Sequence, residues 1–173
     1  RRAGEAMMQA FTKLIATFFY TGLLQPAPGT WGSLAALPAA YLLYQLGGLW
    51  LFFTAIPMVF LLGCWATAEQ TRGKDDHDPS EIVIDEVAGQ WIALLPVMIG
   101  LTHSGAAPLD LWPGWLTAFV FFRLFDITKP GPVGWADRRG DALGVMLDDV
   151  IAGIFAALVV MLGAWLSHGV FGL

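Results

Sequence analysis

Three short stretches carry residues able to do chemistry. "IVIDEVAG" holds Asp85 and Glu86, "FRLFDITKP" holds Arg123, Asp126 and Lys129, and "VMLDDVIAG" holds Asp148 and Asp149. Each stands at the edge of an apolar run, where a charge is expensive and is seldom kept without a use. Carboxylate oxygens are hard ligands, and a cluster of them suits Mg²⁺ or Mn²⁺ better than Zn²⁺. No competing set of Cys and His accompanies them. Left unneutralised, five such charges in one small volume repel strongly, so a shared site needs cations between them. The plainer alternative is that acids in the first turn of a helix stabilise its dipole, by about 0.3–1 kcal/mol each. That serves Asp85 with Glu86 and Asp148 with Asp149. It does not serve Asp126, which precedes a C-terminal helix end, where an anion is disfavoured.

Arg123, Asp126 and Lys129 recur every three residues, which places them on one helical face before Pro130 ends the helix. One reading is an ion ladder at a membrane edge, with the long cations snorkelling to water. The other is a metal-binding carboxylate flanked by two phosphate-binding cations, Arg for paired oxygens and Lys as a point charge. "PAPGTWGS" offers Gly29 and Gly32 for close backbone approach, and the hydroxyls of Thr30 and Ser33. A glycine loop before a helix can bind an anion, yet the same residues make an ordinary capped turn, with Thr30 or Ser33 as the cap. The stretch lacks the Gly-Lys-Ser/Thr ending of a P-loop. "DDHDPSE" reads mainly as a solvated acidic loop, in which His77 and Asp78 form one candidate acid/base pair. His103 and His168 receive no role.

Positioning such residues falls to apolar helices. The chain of 173 residues is 57% hydrophobic and 13% charged, with eight Trp and twelve Phe. Soluble domains carry about 25% charged residues, so much of this surface must face something other than water. The length fits one domain, residues 1–173. A formal charge of −5 argues against nucleic acid as a partner. The single Cys64 excludes an intramolecular disulfide, and no secretory signal pattern is visible in the first residues. Residues 8–24 read as an interfacial amphipathic helix. Apolar runs follow at 33–46, 49–68, 87–101, 113–127 and 150–166, the first two joined by Gly47-Gly48 as a helical hairpin. A membrane helix needs about 17–25 apolar residues, and several of these runs are short; five spans are expected, with four as the alternative. The basic residues Arg1, Arg2, Lys13, Arg72, Lys74, Lys129, Arg138 and Arg139 all fall on one side of a five-span chain. The positive-inside rule makes that side cytoplasmic. Asp85, Glu86, Asp126, Asp148 and Asp149 then share one inner-surface patch.

"PAPGTWGSLAALP", "IVIDEVAGQWIAL" and "FRLFDITKPGPVGWADRRGDALGVMLDDVIAG" together resemble the phosphatidylglycerophosphatase A family. The resemblance covers residues 23–38, 77–94 and 121–153, in the family's order. It implies an all-α, polytopic helical membrane protein with one central helix packed by others. It also implies a Mg²⁺-dependent lipid phosphatase of the bacterial inner membrane, converting phosphatidylglycerophosphate to phosphatidylglycerol. The family's acidic positions correspond to Asp85 with Glu86, Arg123 with Asp126, and Asp148 with Asp149. "DRRGDALGV" departs from the glycine-rich approach expected before the Asp-Asp pair.

The chemistry of the residues agrees. Hydrolysis of a phosphate monoester needs positive charge around the phosphate and an aligned nucleophile. Glu86, Asp126, Asp148 and Asp149 are the candidate metal ligands; Asp85, Glu86, Asp126 and Asp149 are the candidate catalytic groups, Asp85 or Asp149 as base. Arg123, Lys129 and Arg138 are candidate phosphate cations, with Gly29, Thr30 and Ser33 completing the substrate site. The nucleophile, water or carboxylate, stays open, as does the oligomeric state. A transporter would instead place carboxylates near the midplane of its spans. A phosphatidyltransferase would need a nucleotide site that the sequence does not display.

Overall fold

The computed structural model describes residues 2–167, so His168 and Arg1 lie outside the described residues. Every regular element among them is helical. Helix α1, Arg2–Ala16, carries Glu5 in its first turn and Lys13 in its last, which suits the helix dipole at both ends. Its exposed face shows Met7 and Phe11, while Thr12 and Ala16 are buried. The amphipathic helix expected over 8–24 therefore starts earlier and stops at Ala16. The stop has a local cause. Phe18, Phe19 and Tyr20 all take positive φ angles, a costly left-handed turn for residues with side chains. Thr17 secures it by donating through Oγ1 to Lys13 O at 2.8 Å and accepting from Tyr20 N at 3.1 Å. A short 3-10 turn, Thr21–Leu23, follows.

Helix α2 spans Pro28–Thr71 with non-helical backbone at Gly47 and Gly48. Pro28 occupies the first helical position, where its missing N–H costs nothing. The helix start is thus capped by Ala27 without any side-chain bond, and the expected caps, Thr30 and Ser33, lie inside the helix. At the glycine pair the chain reverses, as the neighbours of α3, Ile84–Ser104, reveal. In the first arm, Ala36 O accepts from Trp91 Nε1 at 2.9 Å and Tyr44 pairs with Thr102 at 3.1 Å, so this arm runs parallel to α3. In the second arm, Phe52 packs on Trp91 at 5.9 Å and Gly63 sits beside Ile84, so this arm runs back. The hairpin expected from Gly47-Gly48 is present.

Helices α4, Trp112–Thr128, α5, Pro132–Asp137, and α6, Ala142–Trp165, complete the bundle. Gly114, near the start of α4, faces Val97 near the end of α3, so these two are antiparallel. α3 and α6 run parallel and cross where Gly89 meets Gly153; a Cβ on Gly153 would overlap Gly89 O. In lipid such close approach matters, because helices there associate by tight packing rather than by escape from water. α3 is the most buried of the three long helices and packs against α2, α4 and α6. Leu46, Trp50, Leu61 and Leu158 point outward, as lipid-facing side chains would. Among the described residues, three helices are long and apolar enough to cross a membrane: α2, which doubles back, α3 and α6.

Two expectations about local structure are corrected. α6 begins at Ala142 rather than near Val150, so Asp148 and Asp149 lie two turns inside it and not in its first turn. The dipole account of this pair is thereby removed, and Asp141 takes the cap, accepting from Gly144 N at 2.7 Å. The ladder Arg123–Asp126–Lys129 is also broken. Lys129 is the left-handed C-cap of α4, at φ 46°, and its side chain leaves the helix face. Between α4 and α6 the chain forms the short helix α5.

Candidate active site

One end of the bundle collects the acids. α3 brings Asp85 and Glu86 in its first turn, α4 brings Arg123 and Asp126 in its last two turns, and α6 brings Asp148 and Asp149. They line a cavity of about 160 Å³ together with Ala27, Pro28, Gly29, Asp78, Ser80, Ile82 and Lys129. Asp85, Asp148 and Asp149 are buried.

The carboxylates divide into two kinds. Asp85, Glu86 and Asp149 each offer an oxygen within 4.8 Å of the others'. Asp85 Oδ1, Glu86 Oε2 and Asp149 Oδ2 are buried without any hydrogen-bond partner. Buried carboxylate oxygens left bare are costly, and buried charges are ordinarily paired or bound to metal. An all-oxygen set of this kind fits a hard divalent cation. Asp126 and Asp148 are instead engaged by cations. Asp126 Oδ2 accepts from Arg123 Nη1 at 2.5 Å, and Asp148 Oδ2 accepts from Lys129 Nζ at 2.8 Å. The close carboxylate group therefore includes Asp85, which the sequence reading left out of the metal set.

The two cations hold the acids apart and keep charge at the cavity wall. Arg123 Nη1 also lies 3.7 Å from Glu86 Oε1, with Arg123 and Glu86 both largely buried. Lys129 bridges Asp148 to Asp137 of α5. Burial of its ammonium opposes the charge, but those two carboxylates outweigh it and hold the Lys129 pKa above the usual lysine value. The left-handed C-cap makes the bridge possible by turning the chain towards α5 and α6.

Gly29 explains the presence of the "PAPGTWGS" stretch. A Cβ at this position would overlap Glu86 Oε1 and sit 3.1 Å from Arg123 Nη1. The α2 start thus presses its backbone against the site, as the sequence anticipated for Gly29. Thr30 and Ser33 do not join it. Neither lines the cavity, and the Ser33 hydroxyl is buried and spent on Gly29 O at 2.9 Å. Arg138 also stays outside the lining and is exposed, beside Gly134 of α5. His77 is exposed and outside the cavity, so the suggested pair with Asp78 is not assembled. The sequence places Asp78 in a solvated loop, yet this exposed residue also lines the cavity. Its carboxyl is pushed above the ordinary aspartate range by partial loss of water, with Asp137, Asp76 and Asp126 adding to the effect and Lys129 opposing it. Hydropathy gave no signal for this residue, because the loop lies outside every apolar run. Gln90, one turn beyond Glu86 on α3, is fully buried with both amide atoms unpartnered.

The chain is similar to proteins of known family. The chain is 40% identical to "Phosphatidylglycerophosphatase A" of Haemophilus influenzae over 148 residues, 85% of each chain. It is 35% identical to "Phosphatidylglycerophosphatase A" of Escherichia coli over 146 residues, 83% of this chain and 78% of that one. A "Putative phosphatidylinositol-3-phosphatase" of Bacteroides thetaiotaomicron is 34% identical over 157 residues, 88% of this chain and 92% of that one. No solved structure matches the chain. The family model described as Phosphatidylglycerophosphatase A matches residues 14–164, which include every cavity residue, and the chain belongs to that family.

Proposed function

We propose that this protein is a Mg²⁺-dependent phosphatase that hydrolyses the terminal phosphate monoester of phosphatidylglycerophosphate at the cytoplasmic face of a bacterial inner membrane. The observation that carries the reading is the cavity in which Asp85, Glu86 and Asp149 leave buried oxygens bare beside Arg123 and Lys129. Family membership and the names of the relatives support the activity. The Bacteroides relative's name concerns a different lipid phosphate, so headgroup choice is tested rather than assumed.

In this reading the chain crosses the membrane five times, through both arms of α2 and through α3, α4 and α6. α1 lies along the inner surface, and the basic segments stay cytoplasmic. The acyl chains remain in lipid while the headgroup enters the cavity. Asp85, Glu86 and Asp149 hold the cation, with Asp126 and Asp148 within the same cavity wall. A divalent cation held by these carboxylates would supply positive charge for the phosphate and would make water a better nucleophile. Arg123 and Lys129 face the phosphate with fixed charge whose own carboxylate partners keep it in place, a preorganised field of the kind that stabilises phosphoryl transfer. Gly29 lets the backbone close over Glu86 without a side chain intervening. Clustering of the acids at one rim beside cations, rather than through the midplane, speaks against the transporter alternative.

Phosphate release from phosphatidylglycerophosphate in detergent micelles, with Mg²⁺ and then with EDTA, tests the reading. Release should require metal, disappear in Asp149→Asn, and exceed release from phosphatidylinositol 3-phosphate. Metal-independent release would refute the cation site. A folded protein that releases phosphate from neither lipid would refute the phosphatase reading.

A further inference from the structure

We propose that Asp78 is the general acid that protonates the departing glycerol oxygen, a role that rests on the phosphatase reading above. Six carboxylates line the cavity: Asp78, Asp85, Glu86, Asp126, Asp148 and Asp149. Asp85, Glu86 and Asp149 converge on one another, Asp126 is held by Arg123, and Asp148 is held by Lys129. Asp78 differs from all five. It comes from the loop between α2 and α3 and is exposed at the mouth. Its backbone N–H donates to Asp76 Oδ1 at 3.0 Å, which fixes the loop. Among the described residues its own carboxylate accepts no hydrogen bond and enters no ion pair.

The position matches a chemical need. The phosphate is drawn to Arg123, Lys129 and the cation that the inner carboxylates would hold, while the glycerol and its acyl chains extend outward to the membrane. The bridging oxygen therefore lies between the interior and the mouth, on the side of Asp78. A glycerol alkoxide is too basic to leave without a proton, and a positioned acid typically accelerates such a step by about 10²–10⁴-fold. As the bond from phosphorus to the glycerol oxygen breaks, the Asp78 carboxyl gives its proton to that oxygen. One hydrogen of the attacking water stays on the phosphate product, and the other is released and replaces the proton that Asp78 gave. The charged groups acting on Asp78 are Asp76 on its own loop, Asp126 and Lys129 at the end of α4, and Asp137 on α5, with Asp85 of α3 nearby. Together with crowding by the protein, the three acids that act most directly favour its protonated form.

The test compares two lipid substrates that differ in one atom. In the first the phosphate is bonded to the glycerol oxygen; in the second a sulfur replaces that bridging oxygen. A thiolate, with a pKa near ~8.5, leaves without assistance. Asp78→Asn should lose on the order of 10²-fold or more in kcat on the oxygen ester and less than about tenfold on the sulfur ester. Asp78→Ser should show the same split, and its thermal midpoint and Mg²⁺ affinity should match those of the wild-type protein. Equal losses on both esters, or no loss on the oxygen ester, would overturn the assignment. A wild-type protein inactive on the oxygen ester would overturn the phosphatase reading itself, and the assignment with it.

Discussion

Gly29→Ala should make the protein no less stable while nearly abolishing its activity, and the two effects have separate causes. Gly29 sits in the first turn of α2 with no left-handed φ. Alanine is therefore permitted by the backbone and favours the helix over glycine by roughly 1 kcal/mol. The new methyl group, however, would occupy the place of Glu86 Oε1 and crowd Arg123 Nη1 at 3.1 Å. To restore van der Waals contact the Glu86 carboxylate must recede by about 1 Å, and a misplacement of that size in a catalytic constellation costs on the order of 10²-fold. In barrier terms that is about 2.7 kcal/mol. The assay is metal-dependent phosphate release in micelles, run beside a thermal melt and a Mg²⁺ titration. Metal affinity should fall together with kcat, because Glu86 is one of the three close carboxylates. Shortening the displaced side chain should help: Gly29→Ala combined with Glu86→Asp should be more active than the product of the two single effects, since contacting residues couple. Wild-type activity in Gly29→Ala, or strictly multiplicative losses in the double variant, would refute the reasoning.

Lys129→Met should lower the thermal midpoint by leaving Asp148, only 6% exposed, without its partner; removing one member of a buried pair costs about 3–5 kcal/mol, reduced here by the partial exposure of Lys129. Adding Asp148→Asn to that variant should recover much of the stability without recovering activity, and no recovery would show that the lysine acts elsewhere. Asp141→Ala should remove the α6 cap and cost about 1 kcal/mol. Its carboxyl is held below the ordinary aspartate range by Arg139 and by Gly144 N–H. The contribution is thus fully present above the unfolded-state pKa and is lost as pH falls through the lower folded value, so melts of the two proteins should converge in acid. Gly153→Ala should force α6 away from Gly89 O and destabilise the protein by about 1–3 kcal/mol; an unchanged melt and unchanged activity would mean that the crossing is looser than the contact implies.

Much of this site is legible in the sequence because burial of charge in an apolar chain leaves a strong imprint. The acids of α3, α4 and α6 converge as their placement at run edges predicts, and Gly47-Gly48 reverses the chain where two apolar runs meet. What hydropathy misses is backbone geometry. Pro28 starts α2 five residues before the apolar run beginning at Ser33. That shift moves Thr30 and Ser33 inside the helix, and Ser33 then bonds back to Gly29 O. α6 likewise starts before its apolar run, because "ALGVML" continues the helix from the Asp141 cap. The cavity placement of Asp78, a residue that the sequence offers only as a partner of His77, and the helix α5 are missed for the opposite reason. They lie in polar segments where periodicity is silent, and only the folded chain shows which loop acids turn inward.

The glycine contact between α3 and α6 explains why a pair of acids lies two turns inside a helix. α3 and α6 run in the same direction and begin at the same end of the bundle. A Cβ on Gly89 would clash with Asp149 O, and one on Gly153 with Gly89 O. The two backbones therefore meet one turn beyond Glu86 and one turn beyond Asp149. That meeting fixes the depth of Asp149 relative to Asp85 and Glu86. Carboxylates that repel one another would drift apart on mobile loops. On two helices locked backbone to backbone they cannot, so the cost of holding three acids within 4.8 Å is borne by the packing of the bundle. A cation bound there would enter a site already shaped for it, which is the arrangement that electrostatic catalysis of phosphate cleavage requires. The same locking accounts for the position of the cations. Arg123 comes from the last two turns of the antiparallel α4 and Lys129 from its C-cap, the end of that helix that reaches this level of the bundle.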